Sequence, residues 1–537
     1  MAAAAVESLD SPGTGRGRFS WRVAGIIGSR LITMRASQSD RDDARAEREL
    51  TGNVAPTGWR SPKPQDIYRL VVIGGGPAGI AAARLASGLG ARVALVERKR
   101  LGGESLNYGS VPTGALIRTA RLYSDMRCAA TYGAATPAEI DVDFTAAMAR
   151  MNRIRARVSR TDSAMCLARE GIDLFFGNAR FVGMDAIDVD GKRVRFRKAL
   201  IATGSRSLVP EVPGLAEAGF LTNDSVFDLQ ELPARLLVIG GGPLGCELAQ
   251  VFARFGTRTL IAHREPLFLP KEERDAAQMV SDALARDGVE IHLNTAVTAV
   301  RVEGGRRVVQ LVDNGNTMTT TVDQILTGIG RLPAVQGLDL EAAGVSYDLE
   351  AGIQVDDFLR TTNPRIFAAG DVCLEHRYAN TAEASGEIVV HNALLFGRRR
   401  MSALTVPWCT YTDPEVAHVG LHVRTAREHR IPVKTFTIPM HEVDRAMADS
   451  EDDGFVKIHV RDGSDRVLGG TIVARQAGEM INVISLAMVA GIGLAALARV
   501  IHAYPTHGEA IRMAASACRL DRSSRLKAYL IKLWLGG

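Results

Sequence analysis

Two glycine turns carry the clearest chemistry in this sequence. Gly74-Gly-Gly-Pro-Ala-Gly79 follows the apolar run Leu70-Val-Val-Ile73 directly, and Glu97 closes the next apolar run. In such a pattern Gly74 permits a tight turn, Gly76 lets the backbone approach a pyrophosphate, and Gly79 lets a helix pack closely on a strand. Pro77 and Ala78 would start that helix, whose free N–H groups and positive dipole end attract phosphate. Glu97, with Arg98 beside it, can accept the hydroxyls of an adenosine ribose. Gly240-Gly-Gly-Pro-Leu-Gly245 repeats the turn after Leu236-Leu-Val-Ile239, which makes Gly240, Gly242, Pro243, Leu244 and Gly245 a second candidate set. There the acid is replaced by His263-Arg264. An acid repels a 2′-phosphate, whereas cationic groups can hold one. Two dinucleotides on one chain suit electron transfer between a flavin and a nicotinamide. The first site therefore reads as FAD and the second as NADP(H) in preference to NAD(H). In the alternative reading His263 and Arg264 form a solvated turn and NADH is used.

Both turns must be positioned by strand–turn–helix–strand units. The pattern predicts a strand over 70–73, a helix over 80–90 and a strand over 92–96, then the same series at 236–239, 246–255 and 257–262. A chain of 537 residues is too long for one core. The fold class expected is α/β, with two Rossmann-like domains for FAD and NAD(P) and a C-terminal region of alternating strands and helices without a phosphate loop. The expected boundaries begin with an unfolded leader at 1–65 and end with a basic amphipathic helix at 519–537. Within the leader, 19–34 is Arg-bearing and acid-free, faintly like a transit peptide; an extended or misassigned start with Met34 as the first residue is the alternative.

A net charge of +5 over this length argues against nucleic-acid binding. Six scattered cysteines give no zinc spacing or disulfide framework and fit a reducing compartment, hence the cytoplasm and no metal. The apolar run 483–498 is shorter than the ~20 residues of a membrane span and reads as a buried helix ending in a glycine-broken turn. The last stretch interleaves five basic residues with Leu520, Leu526, Tyr529, Leu530, Ile531, Leu533 and Trp534. Such a helix can lie weakly on an anionic membrane surface, or simply pack on its own dimer.

Residues 101–116, LGGESLNYGSVPTGAL, resemble the segment that carries the redox disulfide in the pyridine nucleotide–disulfide oxidoreductases. The resemblance extends over roughly residues 52–537. Residues 194–205 look like the family's ATG motif, 324–333 (QILTGIGRLP) like its GRxP motif, and 365–372 (RIFAAGDV) like its second flavin motif. WCTYTDPE, HEVDRA and SLAMVAGIGL are closest to the mercuric-reductase-like subgroup, with further similarity to dihydrolipoyl dehydrogenase. The resemblance implies that Gly102, Gly103, Ser105, Ala179, Ala202, Thr203, Gly204, Gly370 and Asp371 contact FAD, Asp371 at the ribityl chain, with Gly330 at the nicotinamide. It also implies an FAD domain at 66–209 and 335–403, an NAD(P) domain at 210–334 and a C-terminal α+β dimerisation domain at 404–518, in a homodimer whose tail 501–509 reaches into the partner's active site.

The departures from the family decide the expected chemistry. Both cysteine positions are serine, Ser105 and Ser110; the lysine position is Gly114, although its glutamate partner remains as Glu247. The histidine position is Tyr504, a weak base with a pKa near ~10, while the orienting Glu509 is kept. His502 and His507 flank it and read as structural or surface histidines. A single Cys518 stands where mercuric reductases carry a vicinal pair. Thiols, base and lysine are lost together, and the nucleotide motifs remain. The expectation is an FAD-dependent NAD(P)H oxidoreductase that passes electrons directly to a small acceptor: a quinone, a small oxidant or a second nicotinamide. Tyr108 would shape the acceptor pocket or merely pack. Mercuric-reductase or dihydrolipoamide-dehydrogenase activity, or an inactive flavin-binding redox sensor, are the alternatives.

Overall fold

The computed structural model describes residues 44–137 and 139–535. The transit-like piece 19–34 and the alternative start at Met34 lie outside the described residues.

Short β-branched and leucine-rich runs form a parallel sheet in the order Ile172–Phe176, Val93–Glu97, Tyr68–Ile73, Lys192–Ile201. Val71 pairs with Ala94 on one side and Ala199 on the other. Such strands are buried on both faces, which explains their near-continuous apolar character. Ile366–Ala368 adds to the far side of Lys192–Ile201 from much later in the chain, and helix Ala379–Leu394 packs on helix Pro77–Gly88. A second parallel sheet is inserted between them, ordered Glu290–His292, Arg258–Ala262, Arg235–Ile239, Gln324–Thr327. The chain leaves and re-enters the first domain through the paired strands Ser205–Ser207 and Arg331–Pro333. The C-terminal domain is a five-stranded antiparallel sheet covered by helices Ala477–Val489 and Glu509–Leu535. This is the expected α/β class with its α+β C-terminal domain.

Two local expectations are corrected. The stretch before residue 66 is not wholly unfolded: residues 44–54 are helical, and Ala46, Leu50 and Val54 are buried in the first core. The charged residues that masked this helix face outward, so three apolar positions suffice to dock it. The segment 101–116 contributes to two helices. A short helix, Gly103–Asn107, breaks at Tyr108 and Gly109 before Ser110–Arg127 begins. The Asn107 amide stabilises the break by donating to Leu101 O and Gly103 O at 2.9 and 2.8 Å. The run 483–498 is half-buried: Ile484 and Ala487 face the core, whereas Val483, Leu486 and Val489 are exposed. No described helix is long and apolar enough to cross a membrane. Ala179 lies two residues after Gly177, whose N–H bonds Glu97 O at 3.0 Å. It pairs with Val189 in a hairpin strand and packs with Phe181 and Phe196.

Candidate active site

Both glycine turns leave the end of a parallel strand and enter a helix with proline in its first turn, Pro77–Gly88 and Pro243–Arg254. Gly74 has φ 110°, and a Cβ there would stand 2.2 Å from Ala202 O. A Cβ on Gly79 would meet Gly74 O at 1.9 Å. Only glycine satisfies both positions. A continuous cavity of about 1990 Å³ runs past both turns. Of the first candidate set, Gly74, Gly76, Pro77, Ala78, Glu97, Arg98, Gly103, Ser105, Ala202, Thr203, Gly204, Gly370 and Asp371 line it. Of the second, Gly240, Gly242, Pro243, Leu244, Glu247, His263, Arg264 and Gly330 do. Gly79, Gly102 and Gly245 lie behind the surface as backbone packing positions and do not line the cavity.

The two acid positions perform one task with different groups. Glu97 accepts the Gly75 N–H and the Lys99 N–H, each at 2.7 Å. His263 Nδ1 accepts the Gly241 N–H at 3.0 Å, and its Nε2 lies 3.0 Å from Leu267 O. An Nδ1 that accepts carries no proton, so Nε2 holds the ring's hydrogen and donates it. The expectation that His263 acts as a phosphate-binding cation is therefore corrected. The imidazole replaces the carboxylate as the acceptor that shapes the turn, and Arg264 is left as the cation of that pair on the cavity wall.

Sequence reasoning missed the network at the domain crossing. Glu104 forms an ion pair with Arg331 and accepts from Asn223 Nδ2 at 2.9 Å. Arg331 Nε donates to Ser205 Oγ at 2.8 Å, and Ser205 donates to Asp371 at 2.6 Å. Burial raises the Glu104 carboxyl to about 7; Arg331 opposes this and Asp371 adds to it. The signal was present in the GES triplet of 103–105, where an acid opens a helix, and in the arginine of QILTGIGRLP.

Ser105 sits in the short helix and Ser110 opens the long one; both face the cavity, as does Tyr108. Gly114 also lines it, and a Cβ at that position would meet no atom within 4 Å. There is thus room for the side chain that Gly114 lacks. Glu247 is buried and accepts the Tyr411 N–H at 2.8 Å. Burial raises its carboxyl to about 7, with the backbone bond from Tyr411 opposing and Glu415 adding. All six cysteines are unpaired. Cys409 is the one that lines the cavity among the described residues, and burial, reinforced by Glu415 and Glu247, holds its thiol well above the usual range. Tyr378 and Trp408 stack with centroids 6.2 Å apart and planes 6° from parallel, and form a flat aromatic part of the wall. Trp408 was visible in WCTYTDPE; Tyr378 carried no signal.

Tyr504 and Glu509 are not brought to this cavity within one protomer. Tyr504 is 69% exposed and donates to the Asp444 carboxylate, and Glu509 pairs with Arg512.

The profile described as pyridine nucleotide-disulphide oxidoreductase matches residues 68–387, and that of the family's dimerisation domain matches 406–515. The chain belongs to the pyridine nucleotide-disulphide oxidoreductase family. It is 32% identical to a mercuric reductase of Staphylococcus aureus over 459 residues, covering 83% of this chain and 82% of that one. It is 33% identical to a dihydrolipoyl dehydrogenase of Thermus scotoductus, covering 84% and 97%. Among solved structures, the HOCl-induced flavoprotein disulfide reductase RclA from Escherichia coli superposes with a TM-score of 0.75 at 29% identity, covering 84% of this chain and 99% of that one. The family is FAD-dependent and uses NAD(P)H, and the dimerisation domain supports a homodimer. The residues present fit FAD. A Cβ on Gly103 would stand 2.7 Å from Gly76 Cα, so the glycines keep open a cradle between a helix start and Glu97 that side chains would fill.

Proposed function

We propose that the protein oxidises NAD(P)H and delivers the electrons to a small acceptor without a protein disulfide. Bound FAD supplies two-electron chemistry between a nicotinamide and that acceptor, for a quinone as NADPH + H⁺ + quinone → NADP⁺ + quinol. One observation carries the reading: serines occupy both disulfide positions on the cavity wall, and the remaining wall cysteine is held as an unreactive thiol. The turn N–H groups and Glu97 hold the flavin nucleotide. Glu247, buried and poised near neutrality, can hold or release a proton at the cavity. Tyr378 and Trp408 offer a flat face to a planar acceptor. The tail bearing Tyr504 and Glu509 serves the cavity of the second protomer.

NADP(H) is favoured over NAD(H) because no acid follows the second strand and Arg264 lines the wall. Arg264→Ala should lower kcat/KM for NADPH by about 10-fold or more while NADH changes little; equal loss for both would refute the preference. The function is tested by anaerobic flavin bleaching with NADPH and NADH, then reoxidation by benzoquinone, thio-NAD, lipoamide, glutathione disulfide and Hg(II). Reoxidation by quinone or thio-NAD alone supports the reading. Turnover of lipoamide or Hg(II) would move the protein to the activities named for its relatives. Absence of bleaching would leave an inactive flavin-binding sensor.

A further inference from the structure

Away from the cavity, the C-terminal domain brings His507 to the near neighbours Asp449 and Glu451, more than fifty residues earlier in the chain. His507 Nε2 lies 3.6 Å from Asp449 Oδ2 and 3.9 Å from Glu451 Oε2, and the three ligand atoms fall within 4.8 Å of one another. We propose that Asp449, Glu451 and His507 form a binding site for a divalent first-row metal ion, with Zn²⁺ as the reference ligand.

The imidazole is the deciding group. His507 is only 6% exposed, and its Nε2 has no hydrogen-bond partner. A buried ring nitrogen aimed at two carboxylate oxygens needs positive charge between them. Neither carboxylate oxygen lies within hydrogen-bond distance of the ring nitrogen. Ligands each ~2.1 Å from a shared ion lie roughly 3–3.5 Å apart, so the two histidine–carboxylate distances need to close by only a few tenths of an ångström, while the two carboxylate oxygens are held within 4.8 Å of each other. One imidazole nitrogen with two carboxylates suits zinc-like ions over Mg²⁺ or Ca²⁺, which prefer all-oxygen shells. Two cations border the site. Arg445, itself half-exposed, donates to the same Asp449 oxygen at 2.6 Å and must give it up or share it with the ion, whereas Arg475 takes the other oxygen of Glu451 while sharing its charge with Asp125 and Asp413.

The location gives the ion a role. His507 is on the tail loop that carries Tyr504, and Asp449 ends the helix whose Asp444 accepts from Tyr504. A bound ion would clamp that loop to the sheet domain. The sequence hides the site because His507, the third ligand, is far along the chain from the Asp449-Ser-Glu451 pair.

The test uses the full-length flavin-loaded homodimer. After chelation and dialysis against Zn²⁺, one equivalent per protomer should remain, and zinc K-edge absorption should show one imidazole in a nitrogen–oxygen shell free of sulfur. Co²⁺ added to the metal-free protein should give visible bands that Zn²⁺ displaces and that His507→Ala and His507→Gln abolish without altering the flavin spectrum. A sulfur-containing shell, which would place zinc on one of the six free cysteines, overturns the proposal. So does wild-type protein that retains no zinc, or a His507 variant that keeps the bands. Because the absorption edge is read on wild-type protein, misfolding of the variants would not shield the proposal.

Discussion

At the scale of single residues, the cavity is built around protons held where they are unusual. Glu247 has a carboxyl raised to about 7 by burial. In the unfolded chain it ionises in the ordinary carboxylate range, so below that range both states are protonated and its contribution is neutral. As pH rises towards 7 the unfolded state loses the proton first, and ligand-free stability falls by on the order of 2–3 kcal/mol. Glu247→Gln should therefore lose less thermal stability between pH 5 and pH 8 than the wild type. Parallel Tm profiles would count against a proton on Glu247. This position was legible in the sequence because Gly114 lacks the partner that Glu247 calls for. Glu104 and Arg331 each carried a local signal, but their pairing was not legible, since a pair made across the crossing between two domains has no fixed spacing. His263 was half legible: its departure from an acid was plain, but its neutral acceptor role needed the Gly241 N–H in three dimensions.

At the scale of elements, the glycine turns, their strands and their helices were readable because local chemistry alone dictates them. Phosphate turns need glycine, and buried parallel strands need unbroken apolar runs. The helix over 44–54 was missed for the opposite reason: its charges dominate the pattern and its docking depends on distant partners. Leu50 is fully buried in the first core. Leu50→Ala should cost about 2–5 kcal/mol, measured by chemical denaturation; a loss below ~1 kcal/mol would mean that the helix is an ornament. The terminal helix leaves Tyr529, Leu530, Ile531 and Trp534 exposed beside basic residues. If it touches an anionic surface, deleting 519–537 should abolish co-sedimentation with anionic vesicles, and sedimentation unchanged by the deletion would dismiss that contact.

At the scale of the whole molecule, the family's dimerisation domain carries apolar side chains that one protomer leaves uncovered, including Leu486 at 65% and Ile501 at 97% exposed. Leu486→Glu should shift the protein from dimer to monomer in light scattering and depress turnover, because the tail with Tyr504 would lose its destination. A variant that stays dimeric would place the interface elsewhere. The interleaved first domain has a further consequence, for synthesis. Strand Lys192–Ile201 keeps an open edge until Ile366–Ala368 has left the ribosome. Translation at ~5–20 residues per second makes that wait on the order of ten seconds or more. For that interval the nascent chain exposes a β-edge ready for mispairing, so this flavoprotein should depend on chaperone cover throughout synthesis of its nicotinamide domain and until residues 366–368 emerge.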